Sequence, residues 1–453
     1  MRKQRSHAPN RTSRRVFLQQ LTAALSAAPW IARGEAAAEK EEPSETELLR
    51  EADRRILKHR RGLVSVRILG RDGRPLAFAP ARWTQTRHKF LFGCNLFRFG
   101  RIPDPEREAR YRSRFADLWN YATLGFYWPY FEPVQGRPRY AYIDQAVAWC
   151  REQGVTPKGH PLMWDYADPS WLPRDFKRIQ ALAQARVRKI VSRYKGRIDI
   201  WDVVNEPTHL GRFGTRLGEW ALSLGAVPYV VMHLKAAREA NPQALLLVND
   251  YRTDAKYYRI LELVRATNQA LFDVIGIQSH MHGGTWPLAR VWKVCDMFSR
   301  LGLPLHFTET TVPSGKRLPR SSGRGSAWEG TTLEGEAAQA AYTEKFYRML
   351  FGHPAVEAIT WWDFSDDGAW MGAPAGILRR DMSPKPVFHA LRNLIKGRWW
   401  TAASGQTDKD GRWQVSAFHG THRLSVRLPD GREATRIVET GPEGPREIVW
   451  RVV

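Results

Sequence analysis

Trp201-Asp202-Val203-Val204-Asn205-Glu206-Pro207 is the stretch on which the reading of this chain turns. Its approach, from Arg197 to Val204, is rich in β-branched residues, and Pro207 ends the run because proline has no N–H to donate to a ladder. The pattern predicts a strand with Glu206 at its C-terminal end. In parallel α/β proteins the loops that build active sites gather at that edge, which gives a carboxylate there a functional reading; the plain alternative is a surface-loop glutamate before a proline.

Eight apolar runs of strand length include this one: Phe90 to Cys94, Tyr121 to Phe126, Val155 to Leu162, Ile198 to Asn205, Ala244 to Asn249, Val274 to Gln278, Leu305 to Thr308 and Ala358 to Trp362. Stretches with helical spacing lie between them, such as Tyr142 to Gln153, Phe176 to Tyr194, Tyr229 to Ala240, Tyr257 to Ala270 and Ala337 to Leu350. Strand and helix alternating eight times predict a (β/α)8 TIM barrel over residues 89–398. A doubly wound open sheet is the rival, but no Gly-rich phosphate turn follows the first strand.

The ends read differently. Residues 39–88 predict a charged helix covering Leu48, Leu49 and Ile56, then a β-hairpin from Leu63 toward Trp83 through the turn signal Asp72-Gly73. Residues 399–453 predict a small antiparallel β module, with turns at Asp408 to Gly411 and Pro429 to Gly431. One insertion, Ser314 to Gly330, is rich in Gly, Ser and Arg and follows the seventh strand.

Composition narrows the function classes. At 453 residues and 43% hydrophobic, the chain can bury one large core. Its 19 tryptophans are flat apolar rings of the kind sugar faces stack on, although many such rings serve as core. The formal charge is +24, of which seven Lys or Arg lie in residues 1–34 without an acid, leaving +17 on the remainder. That field attracts anions, but the basic residues are dispersed and carry no nucleic-acid-binding signature. Cys94, Cys150 and Cys295 are odd in number and far apart, which argues against a disulfide framework and a zinc site.

At the N-terminus, Ser13-Arg14-Arg15-Val16-Phe17-Leu18-Gln19 resembles a twin-arginine export signal, with cleavage expected after Ala38. The apolar run behind it is short and interrupted by Gln19, Gln20 and Thr22, so a stable membrane anchor is not expected. The mature protein is therefore expected in the periplasm or outside the cell.

A second carboxylate completes the pattern. Leu305-His306-Phe307-Thr308-Glu309-Thr310-Thr311 again ends an apolar run in a polar cluster, so Glu206 and Glu309 sit at the ends of strands four and seven and face one barrel mouth. Glycoside hydrolysis uses such a pair: one carboxyl protonates the leaving oxygen, and the other attacks the anomeric carbon or activates water. Attack by the carboxylate needs the two roughly 5 to 5.5 Å apart and gives retention.

With these motifs in this order, the chain resembles glycoside hydrolase family 10, the endo-1,4-β-xylanase family, over roughly residues 90–396. The resemblance also takes in Gly159-His160-Pro161-Leu162-Met163-Trp164, Asn249-Asp250-Tyr251, Gln278-Ser279-His280, and Trp361-Trp362 with Trp370. It implies an acid/base at Glu206 and a nucleophile at Glu309. It further implies sugar contacts from His160, Trp164, Asn205, Tyr251, Trp362 and Trp370, a contact of Gln278 with the sugar ring or the nucleophile, and a hydrogen bond from His280 to the nucleophile. Core packing is the alternative for the rings and histidines, and loop capping for Asn205. His280 with His282 lacks acidic or cysteine partners at ligand spacing, so no metal is expected, nor any cofactor.

The departures from the family pattern are specific. Thr123-Leu124-Gly125-Phe126-Tyr127-Trp128 stands where the family carries a Glu-Asn pair and then Met-Lys-Trp; Asp165 replaces a His, and Thr311 replaces an Asp. They imply a weakened second glycone subsite and one lost partner for His280. The expectation is a retaining endo-β-1,4-glycanase of xylanase type acting on a polysaccharide. The alternatives are a glycosidase of the same barrel type acting on another β-glycan or a substituted xylan, and a catalytically weak carbohydrate-binding protein.

Overall fold

A computed structural model describes residues 43–318, 328–444 and 447–452. The export motif and most of the Ser314 to Gly330 insertion lie outside the described residues. Eight parallel strands close into a barrel in chain order: Leu91–Asn95, Tyr121–Gly125, Thr156–His160, Ile200–Asn205, Leu245–Asp250, Val274–His280, Leu305–Thr311 and Val356–Trp361, the last pairing with the first. Most were visible as apolar runs because a strand covered by helices outside and by side chains inside has no solvent face to alternate, although strand three carries the buried Lys158 and His160.

Helices cover the barrel with one apolar stripe each. In Phe176–Tyr194, Ile179, Ala183, Val187 and Ile190 face inward at helical spacing, and the Asp175 side chain caps the first turn by accepting from Arg178 N at 2.8 Å. Strand seven runs to Thr311 rather than ending at Thr308, so Glu309 stands on the strand itself. The same holds for Gln278 and His280 in strand six.

The chain ends depart from expectation. Strands Arg61–Leu69 and Pro80–His88 exist, and a turn forms between them, with Gly70 N donating to Arg74 O at 2.8 Å. They do not form a hairpin. Arg61–Leu69 lies between Arg412–Phe418 and Glu447–Arg451, while Pro80–His88 joins Ala402–Gln406, Gly420–Arg427 and Glu433–Thr440 in a second sheet. The two sheets share a core of Val64, Val66, Ile68, Trp83, Leu424, Val426, Ile448 and Trp450. Both ends of the chain thus build one β-sandwich. Hydrophobic burial decides this: alternate residues such as Val64, Val66 and Ile68, or Trp413, Val415 and Ala417, are apolar, and one hairpin alone could not cover them. The helix Glu45–Arg60 packs on Leu333–Gly352, where Gly352 comes so close to Ala52 that a Cβ would collide with its backbone.

Strand three shows how tightly the layer between barrel and helices is filled, since Trp201 packs there on Tyr194. A Cβ on Gly159 would overlap the ring of Trp201, which is fully buried on the neighbouring strand. Gly159→Ala is therefore expected to lower stability by about 1–3 kcal/mol, the range for overpacking a filled core. Its thermal unfolding against wild type measures this; an unchanged melting temperature would contradict it.

Candidate active site

Barrel closure brings the C-terminal strand ends to one mouth, where a cavity of about 700 Å³ opens. Glu206 and Glu309 line it, as do His160, Trp164, Asn205, Tyr251, Gln278, His280, Trp362 and Trp370, so all ten residues singled out from sequence meet there. Glu206 follows strand four and adopts left-handed backbone angles, φ 57° and ψ 47°. That conformation strains a non-glycine residue, and such residues persist where neighbours over-determine them. Here Glu206 N donates to Asn249 O at 2.7 Å, and Asp250 clamps the next turn by accepting from Thr208 N and Oγ1 at 3.0 and 2.9 Å.

A chain of amides joins the two carboxylates. Gln278 Nε2 donates to Glu206 Oε1 at 3.2 Å and to Asn205 Oδ1 at 3.3 Å. Asn249 Nδ2 donates to the same Asn205 oxygen and to Glu309 Oε1, both at 2.7 Å, and Asn249 Oδ1 is held by Thr308 Oγ1 at 2.6 Å. With its oxygen engaged twice, Asn205 leaves its amide N–H group for the cleft.

The two carboxyls differ in ionisation. Burial pushes Glu206 up to about 8; Arg212 works against this, and Glu309 adds to it by repulsion. For Glu309 burial also pushes upward, but His160 and the hydrogen bond from His280 outweigh it and hold the carboxyl below its ordinary value. His280 Nε2 meets Glu309 Oε2 at 3.0 Å, and His160 Nε2 lies 3.9 Å from Oε1. Near neutral pH the cleft therefore presents a proton donor and an anion, the division of labour acid/base chemistry needs.

Behind them, His160 Nδ1 and Lys158 Nζ both reach Asp202 Oδ2 at 2.7 Å, all three buried. Trp362 is nearly enclosed, with His160 and His280 against its ring at centroid distances of 5.3 and 5.8 Å. Trp370 is 43% exposed and covers His280 at 4.5 Å. Trp164 stacks on Tyr166 at 4.7 Å, and Tyr251 meets His209 Nδ1 through its hydroxyl at 2.6 Å.

Two readings of the sequence need correction. Gln278 contacts Glu206 and not Glu309. Thr311 does not cost His280 a partner, because its hydroxyl meets His280 Nδ1 at 2.7 Å; what changes is the partner's charge. Asp165 has a structural role. Its carboxylate accepts from Gly211 N at 2.7 Å and its carbonyl from Thr215 Oγ1 at 2.7 Å, fixing the loop that carries Arg212 against Glu206. Arg212 lies between the rings of Phe213 and Tyr251, at 4.4 and 5.1 Å. Sequence gave no sign of Arg212, since nothing local says that the loop folds back. Asn249 stood in a quoted motif, but its bridging position depends on three strands lying side by side.

Residues 102–394, more than half of the chain, match Glycosyl hydrolase family 10. The chain belongs to this family. It is 27% identical over 388 residues to the anti-sigma-I factor RsgI6 of Acetivibrio thermocellus, covering 84% of this chain and 46% of that protein. Endo-1,4-beta-xylanase A of Caldicellulosiruptor sp. is 27% identical over 283 residues, covering 57% of this chain and 40% of the relative. The chain thus spans less than half the length of these two relatives. It covers more of endo-1,4-beta-xylanase B of Thermotoga neapolitana: 27% identity over 315 residues, 66% of this chain and 86% of that one. Among solved structures, native xylanase 10B from Thermotoga maritima superposes with a TM-score of 0.57 at 23% identity, over 68% of this chain and 96% of the other, a likeness of fold. As a family member the chain carries the paired carboxyls Glu206 and Glu309 in one cleft. Among the described residues no His, Cys, Asp or Glu cluster could hold a metal ion, and no helix is long and apolar enough to cross a membrane.

Proposed function

We propose that the protein is a retaining endo-β-1,4-glycanase acting on xylan, with Glu206 as acid/base and Glu309 as nucleophile. The observation that carries this reading is the split ionisation of two carboxyls in one cleft, with Glu206 raised to about 8 and Glu309 lowered. Glu309 attacks the anomeric carbon, and the covalent bond to the sugar forms as the glycosidic bond breaks. The Glu206 proton passes to the leaving oxygen; Glu206 then takes a proton from the water that releases the sugar. Asn205 donates to the substrate's 2-hydroxyl, while His280 and Asn249 hold Glu309 ionised and aimed. Trp164, Tyr251 and Trp370 offer rings to sugar faces, and His160, Gln278 and Trp362 shape the floor. No cofactor takes part. The division of an export signal, residues 1–38, from a catalytic barrel, residues 89–398, and export through Arg14 and Arg15, belong to the same proposal; residues 39–88 and 399–453 are not two separate modules, because their strands share one sandwich.

Product analysis on xylan, glucuronoxylan, β-glucan and mannan tests the substrate. Xylo-oligosaccharides released internally from xylan are expected; release from glucan or mannan alone would overturn it. A second reading, a carbohydrate-binding protein with weak catalysis, draws on the relative named an anti-sigma factor and on Arg212 held against Glu206. Binding of xylan without any product would favour it.

Arg212 supplies a signed prediction. Its charge lowers the Glu206 carboxyl against the larger effect of burial, so Arg212→Gln lets that carboxyl rise further. Activity requires protonated Glu206 and is lost as pH climbs through its pKa. The basic limb of the kcat/KM profile is therefore expected to move upward in the variant, by about one pH unit for an adjacent opposite charge. A downward movement would contradict it.

A further inference from the structure

The cleft extends past Tyr127 over the loops that leave barrel strands one and two. There Arg101, Tyr130, Arg139 and Tyr142 line it. Little at this end suits a neutral sugar. Thr123 and Leu124 are buried, and the amide of Asn95 is spent on the backbone, donating to Trp362 O and accepting from Phe97 N at 3.3 Å. What remains is aromatic and cationic. Tyr130 is 61% exposed, and the Arg101 guanidinium lies 4.1 Å from the centroid of the Tyr142 ring.

The carboxylate on this side, Asp367, is already neutralised twice, by Arg98 at 2.8 Å and Arg107 at 3.0 Å. Among the described residues neither Arg101 nor Arg139 has a carboxylate partner. Their charge is therefore unquenched where a glycan would lie. A guanidinium is permanently charged, and its planar fork matches a carboxylate; stacking on Tyr142 holds the Arg101 plane in place. The exposed Tyr130 ring lining the same cleft offers a face for the sugar that bears the acid.

We propose that this end of the cleft binds a carboxylate-bearing sugar, with Arg101 and Arg139 as its anion receptors. The proposal rests on the reading of the cleft as glycan-hydrolysing and adds the class of substrate it selects. The carboxylate can reach the site as a uronic-acid branch on the chain or as a uronic acid at the chain's non-reducing end; the chemistry recognised is the same.

The test uses the full chain carrying Glu309→Gln, so that ligands are bound and not turned over. Calorimetry compares a xylo-oligosaccharide with one glucuronic-acid branch, the same molecule with its carboxyl reduced to an alcohol, and a linear one ending in a uronic acid. At least one acid is expected to bind about tenfold more tightly than the reduced form, the scale of one charge-assisted hydrogen bond, and the tighter acid identifies the source. In the Arg101→Gln, Arg139→Gln double variant that ratio falls toward one. An Arg101→Lys, Arg139→Lys variant, which keeps both charges if the glutamine pair fails to fold, retains part of it. Equal affinity for acid and reduced forms, or a ratio that survives the double glutamine change, overturns the site. If wild type hydrolyses linear xylo-oligosaccharides while showing no acid preference, only the site falls; if nothing binds and nothing is cleaved, the glycanase reading falls with it.

Discussion

Glu309→Ala is expected to lower kcat on xylo-oligosaccharides by on the order of 10⁴-fold or more, the scale seen when a covalent nucleophile is removed from an otherwise intact site. Glu309 is 4% exposed and its carboxylate is held by Asn249 at 2.7 Å and His280 at 3.0 Å, so the attacking oxygen is fixed in place. Its loss leaves a small space flanked by His160 and His280, which favours a small anion. Added azide should enter that space and attack from the same face, partly restoring turnover and giving a glycosyl azide of inverted configuration. Glu206→Ala should lose less on substrates with good leaving groups, which need no proton at departure. A Glu309→Ala enzyme keeping more than about one hundredth of wild-type activity would remove Glu309 from the proposed role.

Lys158→Met carries the largest expected loss of stability. Lys158 Nζ and Asp202 Oδ2 are 2.7 Å apart with both side chains fully buried, and removing one member of such a pair costs about 3–5 kcal/mol because the other charge remains without water. Burial by itself would raise the Asp202 carboxyl, but Lys158 and then His160 outweigh it and hold it below its ordinary value. A depressed carboxyl contributes stability that is present above its unfolded pKa and lost as pH falls through the folded one. Wild type should therefore lose stability on acidification, and the variant should lose less, being already without that contribution. Adding Asp202→Leu to Lys158→Met should recover much of the stability, since apolar groups can replace a buried pair at little cost. Activity should stay low, because His160 then loses the carboxylate at 2.7 Å that orients it beside Glu309. Chemical denaturation together with kcat separates the two effects; a double variant that recovers both would show that Asp202 does not orient His160.

The barrel was legible because its strands are covered on both faces and so read mostly as apolar runs, and because Glu206 and Glu309 end two of them. Its appendages were not. Asp72-Gly73 signals a turn and a turn forms, but pairing is chosen by strands more than 300 residues away, such as Arg412–Phe418 beside Arg61–Leu69. No local pattern holds that information. The site divided in the same way: residues on strands or in the quoted motifs that follow them were found, while Arg212 owes its place to Asp165 holding Gly211. Thr311 shows the opposite error, a substitution read as a loss whose hydroxyl still reaches His280.

The central claim is that Glu309 attacks the sugar directly and that Glu206 supplies and reclaims the proton. Proton NMR of the anomeric signals during the first minutes of xylo-oligosaccharide hydrolysis tests it most directly. The account predicts that β-configured reducing ends appear first and the α form grows in later by mutarotation; α-configured product appearing first would contradict it.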